Sequence, residues 1–92
     1  MRGCRAMIGF PNQMRSFDEE AGTFRFSGYD GVMEVRFVLE APALEQIDGI
    51  ARSPDTDYLA AFDRRRGQIE TAAIRSYKKH RKNLIWLSIA DF

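Results

Sequence analysis

Few side chains in this sequence could carry chemistry, and their spacing narrows what they can do. The single cysteine, Cys4, and the single histidine, His80, lie at opposite ends of the chain. A Cys–His nucleophile pair would need His80 as its base. His80 instead sits inside Lys78-Lys-His-Arg-Lys82, among cations rather than beside the carboxylate that would orient it. A zinc site would have only these two nitrogen and sulfur ligands and would need carboxylates to complete it. Gly28-Tyr-Asp-Gly31 presents an acid and a phenol between two glycines, the one loop that resembles an acid–base site. Paired carboxylates, a nucleophile–base pair and a phosphate-binding glycine loop are all missing from the pattern. The expectation is a non-enzymatic protein with no cofactor and no metal.

The strongest charge feature is cationic. Arg64-Arg-Arg66, Arg75, Lys78, Lys79, Arg81 and Lys82 could neutralise phosphates. Residues 1–63 hold six Arg/Lys against eleven Asp/Glu, and residues 64–92 hold eight against two, so the net charge of +1 hides an asymmetry. Such asymmetry marks either an interaction surface or two parts of one domain that complement each other. Only Tyr77 places an aromatic ring near these cations, so no base-stacking platform is evident. Nucleic-acid binding is therefore expected to be weak at most. Arg66 differs from the rest because it falls four residues after Phe62 and three before Ile69, on the apolar side of a helix. There it either pairs with a carboxylate, with Glu34, Glu70 and Asp91 as candidates, or binds an anionic ligand.

The elements that must position these residues can be read from periodicity. Phe24 and Phe26 share one face of a strand, as do Met33, Val35, Phe37 and Leu39 in the next. Asp-Gly between two alternating runs signals a hairpin, so Gly28–Gly31 reads as a turn. A two-residue Asp30-Gly31 loop sets Phe26 opposite Val35 and Phe24 opposite Phe37. A four-residue Gly28–Gly31 loop sets Phe26 opposite Met33 and Arg25 opposite Glu34. A weak alternation over residues 5–10 gives an earlier strand, with Ala6, Ile8 and Phe10 on one side. Phe17 anchors a polar stretch that ends in a turn at Asp18–Gly22. Pro42 opens a short helix that Gly49 closes. Ser53 and Pro54 read as the cap and first residue of a long helix over about 55–79, weakened at Gly67. Leu84-Ile-Trp-Leu-Ser-Ile-Ala-Asp-Phe92 reads as a last strand, with Ile85, Leu87 and Ile89 on one face and Leu84, Trp86, Ser88 and Ala90 on the other.

The order β-β-β-α-α-β predicts an α+β fold, an antiparallel sheet with two helices packed on one face. Ninety-two residues, 45% of them hydrophobic, suit a single domain spanning 1–92. No segment approaches the ~20 apolar residues of a membrane helix, and no secretory leader pattern opens the chain. The expected setting is cytoplasmic.

The same landmarks resemble a known family. Phe10-Pro11 follows a short strand, Phe24-Arg-Phe26 leads to Asp30-Gly31, and a helix begins near Ala43-Leu44. The long helix carries Phe62-x-x-x-Arg66-x-x-Ile69-Glu70, and Asp91-Phe92 closes the run. In order and spacing, from about Ile8 to Phe92, this resembles the small bacterial family called domain of unknown function 1488. The resemblance implies an α+β fold and no assigned activity, cofactor or catalytic residue. Members often hold a cysteine in the second hairpin strand, where this chain has Arg36 nearby, so thiol chemistry is not implied. Residues 1–6 read as an extension before the family's usual start, with Met7 as an alternative initiator.

Trp86 leaves two readings open. Either it belongs to the core and the face assignment is reversed, or it lies with Leu84 on an uncovered sheet face. The second reading predicts a protein partner, with a homodimer as one form, because two helices cover only one face of a sheet.

Overall fold

The pairing of two eight-residue strands organises the molecule. The computed structural model describes residues 8–11, 14–53 and 55–92. β3 (Thr23–Asp30) and β4 (Met33–Glu40) form an antiparallel hairpin along their whole length. β1 (Ile8–Gly9) and β2 (Arg15–Asp18) both pair antiparallel with β3, β1 at its Tyr29 end and β2 at its Thr23 end. The chain then forms α1 (Ala41–Asp48), α2 (Tyr58–Arg64) and α3 (Arg66–His80), and returns as β5 (Leu84–Leu87) beside β4. The α+β fold is thus a five-stranded sheet with three helices packed against it.

The hairpin adopts neither register expected from the sequence. Asp30 pairs with Met33, so the loop is Gly31-Val32, and Phe26 faces Phe37 while Phe24 faces Leu39. Gly31 has φ of 64°, whereas Val32 is not among the positive-φ residues. Glycine at the first central position is what a type II′ turn requires. The shift keeps every apolar side chain on its face and removes the Arg25–Arg36 opposition, because Arg25 now faces Val38. Gly28 has a separate cause. A Cβ there would lie 2.9 Å from the Phe10 ring and 3.1 Å from the Gly9 carbonyl, so its absence lets β1 approach. The acid of the loop is also engaged: the Tyr77 hydroxyl on α3 donates to Asp30 Oδ2 at 2.6 Å.

Phe24, Val35, Phe37 and Leu39 are fully buried and meet Leu44, Phe62 and Ile69 from the three helices. Phe62 lies 5.4 Å, ring to ring, from both Phe24 and Phe26. α1 follows the expected signals: Pro42 lies in its first turn, and Gly49 ends it at φ of 68°. The remaining differences are local. β2 forms where the sequence suggested only an anchored polar stretch, and Phe17 stacks between Phe24 and Tyr58. The turn at Asp18–Gly22 is as expected, with Asp18 Oδ1 accepting from the amides of Glu20 and Ala21.

The long helix of 55–79 is two helices, broken at Arg65 rather than at Gly67. Its cap is Asp57, whose side chain accepts from the Ala60 amide, while Ser53 accepts from Asp55 and makes a turn. The last strand stops at Leu87, because a 3₁₀ turn over Ile89–Asp91 begins there, closed by reciprocal Ser88 and Asp91 bonds. β5 runs parallel to β4, so the sheet is mixed rather than wholly antiparallel. Three intervening helices carry the chain back beside Arg36, midway along β4, which is the crossover a parallel pair needs. The proposed extension at residues 1–6, the Met7 start, Cys4, Ala6 and the Pro54 helix start lie outside the described residues.

Gly31→Val is expected to destabilise the protein by about 1 kcal/mol or more. No atom lies within 4 Å of the added Cβ, so the cost is that of forcing a β-branched residue to positive φ. Urea denaturation of both proteins measures it, and an unchanged midpoint would mean that Gly31 is not needed in this turn.

Candidate functional site

The pleat that buries one side of β3, β4 and β5 exposes the other, and among the described residues no helix covers it. On that open face Arg25, Val38 and Trp86 form one row across the strands, and Ser27, Arg36 and Leu84 the next. Tyr29 and Glu34 form a third row. Trp86 is 58% exposed and Leu84 is 48% exposed, while Val38, between Arg25 and Trp86, is only 6% exposed. The helices therefore cover Ile85 and Leu87, and of the two readings of Trp86 the open face is the one adopted. A shallow groove of about 440 Å³ follows this face between Met14 and Trp86. Its polar walls are held by Ser27, which donates to Glu34 at 2.9 Å, and by an Arg36–Glu34 contact of 3.9 Å.

Trp86 also borders a second, larger groove of about 830 Å³, formed by the Glu19–Thr23 turn, the start of α1, Arg52, Ser53 and residues 56–59. This groove is acidic, with Glu19, Glu20, Glu40, Glu45 and Asp57 around Arg52. Tyr58 donates to Glu45 at 2.6 Å, and that bond, with burial, pushes its phenol above the ordinary value. The buried Thr23 hydroxyl has no hydrogen-bond partner among the described residues.

The cationic residues do not form one surface. Arg64 and Arg65 each bond Asp48 at 2.7 Å. Arg66 bonds Asp63 at 3.1 Å, approaches Glu70 at 3.7 Å and lies 5.2 Å from the Phe62 ring centre. Glu70 was among its expected partners. Glu34 instead joins Ser27 and Arg36, and Asp91 bonds the Ser88 amide. Arg75 donates to the Asp91 carbonyl at 2.7 Å. Lys78, Lys79, Arg81 and Lys82 are exposed at the far end of α3, about 20 Å from the arginine triplet at helical rise. Their position already matches the negative end of the helix dipole, and Arg81 lies over the Tyr77 ring at 5.9 Å. Among the described residues no group of three or more His, Cys, Asp or Glu side chains is placed to hold a metal ion.

Asp48 and Asp63 are the residues that sequence reasoning missed. Asp48 ends α1, where the helix dipole disfavours an anion, and its side chain is 3% exposed. The two guanidinium bonds outweigh burial and hold its carboxyl below the ordinary value of 3.8. Asp63 is lowered too, chiefly by Arg15, which grips it with two bonds of 2.9 and 3.0 Å. A carboxylate whose folded pKa is lowered stabilises the fold above its unfolded pKa, and the contribution is lost as pH falls through the folded value. Asp48→Asn is therefore expected to lower the Tm by a similar amount at pH 7 and pH 5, with the gap closing below pH 3.8. Thermal melts across that range measure it. A gap that stays constant to the acid limit would assign the loss to packing.

Comparison with known proteins gives a consistent placement without an activity. No curated protein matches the sequence. The crystal structure of a protein of unknown function from the DUF1488 family of Shewanella loihica PV-4 has a similar fold, with a TM-score of 0.77 at 18% identity. The match covers 92% of this chain and 96% of that one. The family model described as protein of unknown function (DUF1488) matches residues 8–87, from β1 to the end of β5, and the chain belongs to that family.

Proposed function

We propose that this protein is a small non-enzymatic interaction module that binds a protein partner on the open face of its sheet. The observation that carries the reading is Trp86 with Leu84 beside Val38, apolar side chains on a face that no described helix covers. An exposed aromatic on the edge strand, next to Leu84 and to polar and charged groups such as Ser27, Glu34 and Arg36, has the composition of a protein interface. The charged groups most suggestive of chemistry are already bonded: Asp30 to Tyr77, Asp48 to Arg64 and Arg65, and Arg66 to Asp63. A cytoplasmic, bacterial setting suits a chain with one cysteine and a relative from Shewanella. No described helix is long and apolar enough to cross a membrane.

The second reading, weak anion or nucleic-acid binding, rests on the exposed Lys78, Lys79, Arg81 and Lys82. The arginine triplet cannot strengthen it, because its charge is matched by Asp48, Asp63 and Glu70.

Salt separates the two. Trp86 is the only tryptophan, so its fluorescence reports the open face directly. A partner docked there is expected to shift Trp86 emission to shorter wavelength, to persist above ~150 mM salt, and to lose about tenfold or more in affinity with Trp86→Ser. Binding that ignores Trp86→Ser, falls steeply with salt and vanishes when the four exposed cations become Ala would move the function to the end of α3.

A further inference from the structure

β5 is the terminal strand of the sheet, and its outer edge is open among the described residues. The phase of its hydrogen bonds is fixed by one contact, the Arg36 amide donating to the Asn83 carbonyl at 2.8 Å. In a parallel ladder the residue opposite Leu84 bonds the residues on either side of it, so Arg36 engages Asn83 and Ile85. Val38, opposite Trp86, engages Ile85 and Leu87 by the same rule. The amides and carbonyls of Leu84 and Trp86 therefore point away from the sheet. The two residues with outward backbone groups are the two with exposed apolar side chains. β5 is short, four residues, but carries none of the other devices that block such an edge: it contains no proline, no charge and no bulge.

We propose that this edge pairs antiparallel with β5 of a second copy, about a two-fold axis at Ile85, making one continuous sheet across a dimer. The inference deepens the interaction reading above by naming a partner for the same residues. The occupant is argued from self-complementarity. With Ile85 opposite its own copy, Leu84 of one chain faces Trp86 of the other. Both have outward backbone groups, so each such pair exchanges two hydrogen bonds, as an antiparallel hydrogen-bonded pair must. Directly opposed residues share a face, so each Trp86 packs against the other copy's Leu84. The combined row reads Arg25, Val38 and Trp86 from one chain, then Leu84, Arg36 and Ser27 from the other. Two small apolar patches thus merge into one band, and the arginines remain at its borders rather than facing each other across the seam. A one-residue slip would set inward-bonded Ile85 against outward-bonded Trp86 and lose the exchange.

Hydrogen exchange at low and high protein concentration, with light scattering for mass, tests this. The expected result is a mass of two chains at high micromolar concentration. The Leu84 and Trp86 amides should slow as dimer forms, while Ile85 and Leu87, already bonded to β4, do not change. Leu84→Pro removes an outward amide without touching β4 pairing and should give a monomer, whereas Leu84→Ala keeps the amide and should dimerise more weakly. Slow exchange at Ile85 and Leu87 shows that the proline variant is folded, and if it is not, the wild-type exchange still decides. A single-chain mass at millimolar concentration overturns the proposal, as does a dimer whose Leu84 and Trp86 amides stay fast. A monomer that still binds a protein through Trp86 would leave the interaction reading intact. A β5-paired dimer whose partner binding ignores Trp86→Ser would remove that reading and leave the pairing.

Discussion

The structure depends on the pleat of the β3–β4 hairpin. Side chains alternate between its faces with a period of two, so each strand can bury only every second residue against one layer of helices. Phe24, Phe26, Val35, Phe37 and Leu39 take the buried side, and together they need three helices to cover them. Once the helices lie there, no element among the described residues is left for the other side. The open face is the direct result of a domain with one helical layer, and the character of its side chains becomes the functional question.

The helical layer is fastened by charge at its margins. Asp48 joins the end of α1 to the α2–α3 junction, and Asp63 joins α2 to Arg15 on β2 and to Arg66 on α3. The opposite net charges of the two parts of the chain are thus used internally. These pairs are partly exposed at the arginine side, so each adds only modestly to stability. Tyr77 and Asp30 do the same at the hairpin tip, where the acid that looked available for chemistry holds α3 to the sheet.

The sequence made the hairpin, the first helix and its two ends, the basic end of α3 and the alternation of Leu84–Leu87 legible, because each is encoded by neighbours a few residues apart. Gly31 announced a turn with positive φ, but not which of three registers consistent with the pleat would form. The one adopted sets Arg25 opposite Val38 and puts Gly31 first in a two-residue loop. β2 was hidden because Arg15-Ser-Phe-Asp18 is too short and polar to show alternation, and it forms only on the exposed edge of β3. The break at Arg65 had no local signal stronger than Gly67, and it coincides with the tertiary ion pairs of Arg64 and Arg65 to Asp48. Of the candidate site, Trp86 and Leu84 were visible as one face of a strand. Whether that face was open depended on where the helices lay, and the parallel pairing with β4 could not be read from spacing at all.

An exposed tryptophan needs an energetic reason. Trp side chains bury about 150–250 Å² when covered, so a residue 58% exposed leaves on the order of 100 Å² in water. At about 25 cal/mol per Å² that is roughly 2–3 kcal/mol not used in folding, in a class of proteins whose whole stability is about 5–15 kcal/mol. The same surface would stabilise an association, but association must first offset at least about 4 kcal/mol of lost translational and rotational freedom. One Trp86 patch alone therefore supports only a weak contact. Two patches joined edge to edge, with the outward amides of Leu84 and Trp86 satisfied at the same time, roughly double the apolar surface in one place and give it a rigid backing. The geometry of β5 thus links its side chains and its backbone: each is insufficient alone, and both point to the same edge.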